Sequence, residues 1–192
     1  MKKTMFSLSV ATLMAIASSG TALAAGTNLD VKFTANVVET TCDMKLVGGE
    51  GNDGKQTLTI GGSNGQVRVE DITAGTATGN FKIAIVECPA SLSSLKTTIK
   101  GTEAGYLPTS IKNSISPDTG GSNYAGVSIS RASAPTNWFT PNSTVDAERL
   151  VWSQAEIDSK EVALVATLRE TVAGKLTVGD FLAVATFEFN YE

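Results

Sequence analysis

Leu29-Asp30-Val31-Lys32-Phe33-Thr34-Ala35-Asn36-Val37 alternates apolar and polar residues without a break. A period of two puts Leu29, Val31, Phe33, Ala35 and Val37 on one face of an extended chain and the polar residues on the other. The same alternation returns at Phe81, Ile83 and Ile85, and again at Val162, Leu164, Ala166 and Leu168, while long stretches with a helical 3.6-residue period are scarce. The pattern predicts an all-β protein.

Working outward from that segment, Cys42 to Val47 continues extended and residues 48–54, rich in glycine, read as a loop. Thr57 to Ile60 and Gln66 to Ile72 read as two strands, separated by Gly61-Gly62-Ser63-Asn64-Gly65, whose glycines supply the positive φ angles of a tight reversal. The strand through Phe81 leads to Cys88 and stops at Pro89, which has no N–H to give to a ladder. Leu95 to Lys100 and Val127 to Ser130 are further strands. Residues 101–126 promise little regular structure beyond Ile111 to Ile115. Ala147 to Ile157 reads either as a helical turn or as an edge segment. A turn falls within residues 174–179, and the last strand runs from about Phe181 to Tyr191. Strands at this spacing fit a sandwich of immunoglobulin-like type, with a closed barrel as the alternative.

The N-terminus addresses the compartment. Lys2 and Lys3 precede an apolar run from about Met5 to Ala17, followed by small residues ending Ala22-Leu23-Ala24, which is the form of a secretory signal peptide cleaved near residue 24. The alternative is a membrane anchor, but the run falls short of the roughly 20 apolar residues that a spanning helix needs. The remaining chain, about 170 residues, suits one domain with a sizeable core. Cys42 and Cys88 are the two cysteines, and in an oxidising compartment an even count reads first as a disulfide, with two buried thiols as the alternative. Such a bridge closes a loop of about 45 residues and contributes about 4 kcal/mol by chain entropy. A net charge of −4, more acidic still without Lys2 and Lys3, argues against nucleic acid as a partner.

The 192 residues include no histidine, which removes the most versatile general base and the commonest metal ligand. Acidic pairs such as Glu70-Asp71, or Glu148 with Glu156, follow no dyad spacing and read as solvating groups. The Gly48-Gly49-Glu50-Gly51 and Gly120-Gly121 runs lack the Gly-Lys-Ser/Thr or GxGxxG continuation of a phosphate loop and read as turns. Trp138 and Trp152 suit either a sugar platform or, more often, a core or edge position. No catalytic residue, cofactor or metal is expected.

Three stretches together resemble the type 1 and P-type pilin family of chaperone–usher fimbriae. Phe33-Thr34-Ala35-Asn36-Val37-Val38-Glu39-Thr40-Thr41-Cys42 is similar to the alternating segment that leads to the family's first cysteine. Phe81-Lys82-Ile83-Ala84-Ile85-Val86-Glu87-Cys88-Pro89 is similar to the strand that carries its second, and Gly179 to Glu192 to its C-terminal β-zipper, including the penultimate Tyr191. One departure is Ala35, seven residues before the first cysteine, where the family usually has glycine.

The resemblance implies an incomplete immunoglobulin-like β-sandwich that lacks its last strand and is completed by a strand from a neighbouring subunit. Residues 1–24 are then a signal peptide, 25–41 a donor-strand extension and 42–192 the pilin domain. Leu29, Val31, Phe33, Ala35 and Val37 form the donated strand, and Val162, Leu164, Ala166 and Leu168 line the acceptor groove. Phe187, Phe189, Tyr191 and Glu192 form the C-terminal strand that a periplasmic chaperone holds before an outer-membrane usher assembles the fimbrium at the cell surface. The implied function is a structural fimbrial subunit supporting adhesion, with a single-domain adhesin for a host glycan or receptor as the alternative.

Overall fold

The computed structural model describes residues 41–62 and 64–191, so the segment from Leu29 to Val37 and the terminal Glu192 lie outside the described residues. β1 (Asp43–Val47) starts beside Cys42 and ends at Gly48, whose left-handed backbone redirects the chain. A side chain at Gly48 would press on Asn80 O and Phe81 Cα at 3.0 Å.

β2 (Glu50–Asn52) and β3 (Lys55–Thr57) then form a small hairpin where the sequence pattern suggested a plain loop. Asn52 Oδ1 closes the turn by accepting from Gly54 N at 3.1 Å and Lys55 N at 2.8 Å. Gln56 fastens the hairpin to the preceding strand: its Nε2 donates to Leu46 O at 2.8 Å and its Oε1 accepts from Gly49 N at 2.9 Å.

The two strands expected at 57–60 and 66–72 are absent as a pair. Leu58 to Ile60 carries no ladder, and α1 (Val69–Thr73) is one short helical turn. The Glu70-Asp71 pair breaks the alternation and lies in the first turn, where carboxylates complement the exposed N–H groups. Thr73 Oγ1 donates back to the carbonyls of Val69 and Glu70.

The long strands follow the pattern. β4 (Thr78–Glu87) ends just before Cys88-Pro89, and β5 (Leu95–Lys100) follows. β6 (Glu103–Ala104) and β7 (Leu107–Lys112) occupy the stretch expected to be nearly irregular, and β7 ends before Ile115. β8 (Ala125–Arg131) comes next. The segment left open at 147–157 contains both alternatives, β9 (Leu150–Val151) and α2 (Gln154–Asp158), the latter started by a capping box between Ser153 and Glu156. β10 (Glu161–Glu170) and β11 (Thr186–Tyr191) complete the chain.

Among the described residues six strands form one sheet in the order β1-β4-β10-β8-β7-β6, and three form a second in the order β11-β5-β9. Ile83, Ile129 and Leu164 of the large sheet share one core with Leu95, Ile99, Leu150 and Trp152 of the small sheet or its border, which makes a two-layer sandwich with open sheets. Leu95, Leu150 and Leu164 are wholly buried. Both tryptophans have structural partners: Trp152 Nε1 donates to Thr97 Oγ1 at 3.0 Å, and the half-buried Trp138 ring lies 4.7 Å from the Arg169 guanidinium. Cys42 and Cys88 are disulfide-bonded. The bond joins the start of β1 to the end of β4, neighbours in one sheet, and so does not cross the sandwich.

Candidate functional site

The C-terminal segment departs from ordinary core behaviour. From Phe181 to Tyr191 every odd residue is half-buried and every even residue is exposed, the signature of a strand with one apolar face. Phe181, Ala183, Ala185, Phe187, Phe189 and Tyr191 all rest against the core, yet none of them is fully covered. β11 pairs along one side with β5, from Thr186↔Lys100 to Tyr191↔Leu95. Among the described residues its other side carries no ladder, so a row of backbone N–H and C=O groups faces outward.

The large sheet has a matching border. β1 is its edge strand, and Met44 and Leu46 are again half-buried against the core. Leu58 and Ile60 share that state, as does Phe81 on β4. Gly79 of β4 makes room for them, since a side chain there would meet Leu58 at 3.1 Å and Ile60 at 3.2 Å. Among the described residues two contacts join the borders. Phe81 and Phe187 have ring centroids 5.9 Å apart, and the Tyr191 hydroxyl donates to the Cys42 carbonyl at 3.3 Å, beside the disulfide. Burial pushes the Tyr191 phenol above its ordinary pKa, so at neutral pH it is a donor. The result is an apolar seam along one side of the sandwich, bordered by β1 and β11.

Val162, Leu164, Ala166 and Leu168 lie deeper. β10 is an inner strand, with Val162 opposite Ile83 and Leu164 opposite Phe81 on one flank, and Ala166 opposite Ile129 and Leu168 opposite Val127 on the other. All four are buried, and Val162, Leu164 and Ala166 belong to the shared core. Phe187, Phe189 and Tyr191 fall on β11 together, the last two stacked at 6.5 Å. Of the residues that border the seam from the other side, Phe81 begins an alternating stretch already read as a strand, whereas Met44, Leu46, Leu58 and Ile60 did not stand out singly in the sequence. Their signal is present as alternation in Met44-Lys45-Leu46 and Leu58-Thr59-Ile60, but alternation alone does not tell a fully covered face from a partly covered one.

An immunoglobulin-like sandwich open along one side among the described residues, with its last strand, β11, paired on one flank only, is a pilin-type fold. A family model described as "Fimbrial protein" matches residues 31–192. The uncharacterized fimbrial-like protein YadM of Escherichia coli (strain K12) is 31% identical over 174 residues, 86% of this chain and 88% of that protein. Among solved structures, the P pilus rod subunit PapA superposes with a TM-score of 0.51 at 18% identity, covering 85% of this chain and 100% of that one. The P pilus adaptor subunit PapF gives a TM-score of 0.50 at 17% identity, covering 82% of this chain and 100% of that one. The chain belongs to the fimbrial protein family and is a structural subunit of a fimbria.

Proposed function

We propose that this subunit polymerises by strand addition, with residues 25–41 of the next copy, or the matching segment of a related subunit, lying in the seam between β1 and β11 of the one before it. The observation that carries this reading is the half-buried alternation from Phe181 to Tyr191 along an edge whose outer side carries no ladder among the described residues. Backbone groups of the edge supply hydrogen bonds, and the alternate residues Leu29, Val31, Phe33, Ala35 and Val37 supply the apolar face. Each such side chain, if fully covered, contributes about 1.5–3 kcal/mol for Val, Leu or Phe. Ala35 covers least and suits a shallow part of the seam. Val162, Leu164, Ala166 and Leu168 form the buried strand beneath.

In this reading residues 1–24 are removed on export, and a periplasmic chaperone covers the seam until an outer-membrane usher exchanges it for the next subunit. The Glu192 carboxylate and Tyr191 provide the chaperone's anchor, the carboxylate through a charge-assisted contact. The assembled fimbrium stands on the cell surface, and the role is structural, without catalysis. A synthetic peptide of residues 25–41, added to the polymerising mature chain, should cap growing ends and shorten fibres in proportion to its concentration. A scrambled peptide should not, and fibres of unchanged length at saturating native peptide would refute the reading.

A further inference from the structure

The ladder that holds the C-terminal strand to β5 begins only at Thr186. Residues 181–185 already border the seam, yet belong to no strand ladder. They are held instead from the other side, by the loop between β7 and β8. Asn113 stands at its start with a side-chain amide whose hydrogen bonds all go to backbone. Its Nδ2 donates to Ser122 O at 2.9 Å and to Asp180 O at 2.8 Å, and its Oδ1 accepts from Ile115 N at 3.1 Å and from Leu182 N at 3.0 Å. One neutral side chain thus uses two donors and two acceptor positions to tie the loop to both Asp180 and Leu182.

Backbone bonds close around it: Ser114 N donates to Leu182 O at 2.7 Å, Ser122 N to Asp180 O at 2.8 Å and Asp180 N to Gly120 O at 2.9 Å. Gly179 permits the approach, because a Cβ there would lie 2.5 Å from Ser122 N. The clasp fixes the chain at the point where it turns into the seam. Phe181 and Ala183 flank Leu182 in sequence, so the height and rotation set at Leu182 pass directly to their apolar side chains.

We propose that Asn113 is a positioning residue for strand addition, one that presets the unladdered stretch 181–185 for an incoming strand. This deepens the strand-addition reading and rests on it. A rigid edge accepts a strand without first losing conformational freedom, so loosening the clasp slows uptake even where the fold survives. Asn113→Ala removes all four bonds. Asn113→Asp keeps acceptor oxygens for Ile115 and Leu182 but replaces both donations by a carboxylate oxygen facing the carbonyls of Ser122 and Asp180, and it serves where the alanine variant does not fold.

The test uses the mature chain and the peptide of residues 25–41 carrying a fluorophore. Uptake rate is measured beside hydrogen exchange of amides 181–185 and 162–168. Asn113→Ala should slow uptake about tenfold, the loss of one to two net hydrogen bonds. Exchange should accelerate at 181–185 and stay unchanged at 162–168, and Asn113→Asp should shift both readings in the same direction as alanine. Wild-type uptake with an unchanged rate in both variants would overturn the role of Asn113 while leaving strand addition standing. So would uniform acceleration of exchange in both segments, which marks a general loss of stability. Failure of the wild-type chain to take up peptide would overturn strand addition and this role together.

Discussion

Phe187 sits where an open seam and one completed by a strand should differ. In the structure it is half-buried and lies 5.9 Å from Phe81 across the two sheet borders. Truncating a fully buried Phe to Ala costs about 3–5 kcal/mol. With the side chain only partly covered, Phe187→Ala should cost the open chain less than that, about 2 kcal/mol, of which the contact with Phe81 supplies about 0.5–1.5 kcal/mol. A strand laid along β11 buries the rest of the ring, so the completed form should lose the full amount. The difference, about 1–3 kcal/mol, appears as weaker binding of the 25–41 peptide by roughly 5- to 150-fold. Urea unfolding of the mature chain with and without saturating peptide reads both losses, and a double-mutant cycle with Phe81→Ala isolates the ring contact. Equal losses in the two states would refute the reasoning, because Phe187 would then be an ordinary core residue already as covered as it ever becomes.

Leu164 is wholly buried on the inner strand β10, so Leu164→Ala should cost about 2–5 kcal/mol in both states, seen as an earlier urea midpoint. Tyr191→Phe removes the donation to Cys42 O and should cost about 1 kcal/mol while leaving the disulfide intact, measured by thermal melting. For Glu156 burial pushes the carboxyl up, but bonds from Arg131 and Ser153 outweigh it and hold it below its ordinary 4.5. A depressed folded pKa means stability present above the unfolded value and lost as pH falls through the folded one. Acid titration of stability should therefore show a loss setting in below about pH 5, flattened in Glu156→Gln.

Strands β4 and β11 and the start of β10 were legible because each covers one face more than the other, which writes a period of two into the chain, whereas β8 and the rest of β10 are buried on both faces. Phe81-Ile83-Ile85, Val162-Leu164-Ala166 and Phe187-Phe189-Tyr191 all fall within strands β4, β10 and β11. Where burial is slight the pattern misleads. Val67, Val69 and the intervening arginine suggest a strand, but the segment lies outside the main sheets and local helical bonding wins at Val69–Thr73. The hairpin at residues 50–57 was hidden because what holds it is polar, Asn52 and Gln56 acting on backbone. Both readings of residues 147–157 were partly right, since β9 is only two residues long and is followed at once by a capped helical turn. The open side was the hardest to see. Met44, Leu58 and Phe187 are as apolar as Leu164, and only their partial exposure in the folded chain sets them apart.

Strand addition is tested most directly by comparing Phe33→Ala and Ala35→Leu in two states of the mature chain, as the chaperone-bound monomer and as the polymer, by melting the first and dissociating the second in denaturant. If residues 25–41 are donated, both variants leave the monomer's melting unchanged and weaken the polymer. Phe33→Ala should do so by up to about 3–5 kcal/mol per junction through lost burial, and Ala35→Leu by about 1–3 kcal/mol through overfilling. A large drop in the stability of the chaperone-bound monomer, with polymer junctions no weaker than that drop explains, would show that the segment folds into its own subunit and would contradict strand addition.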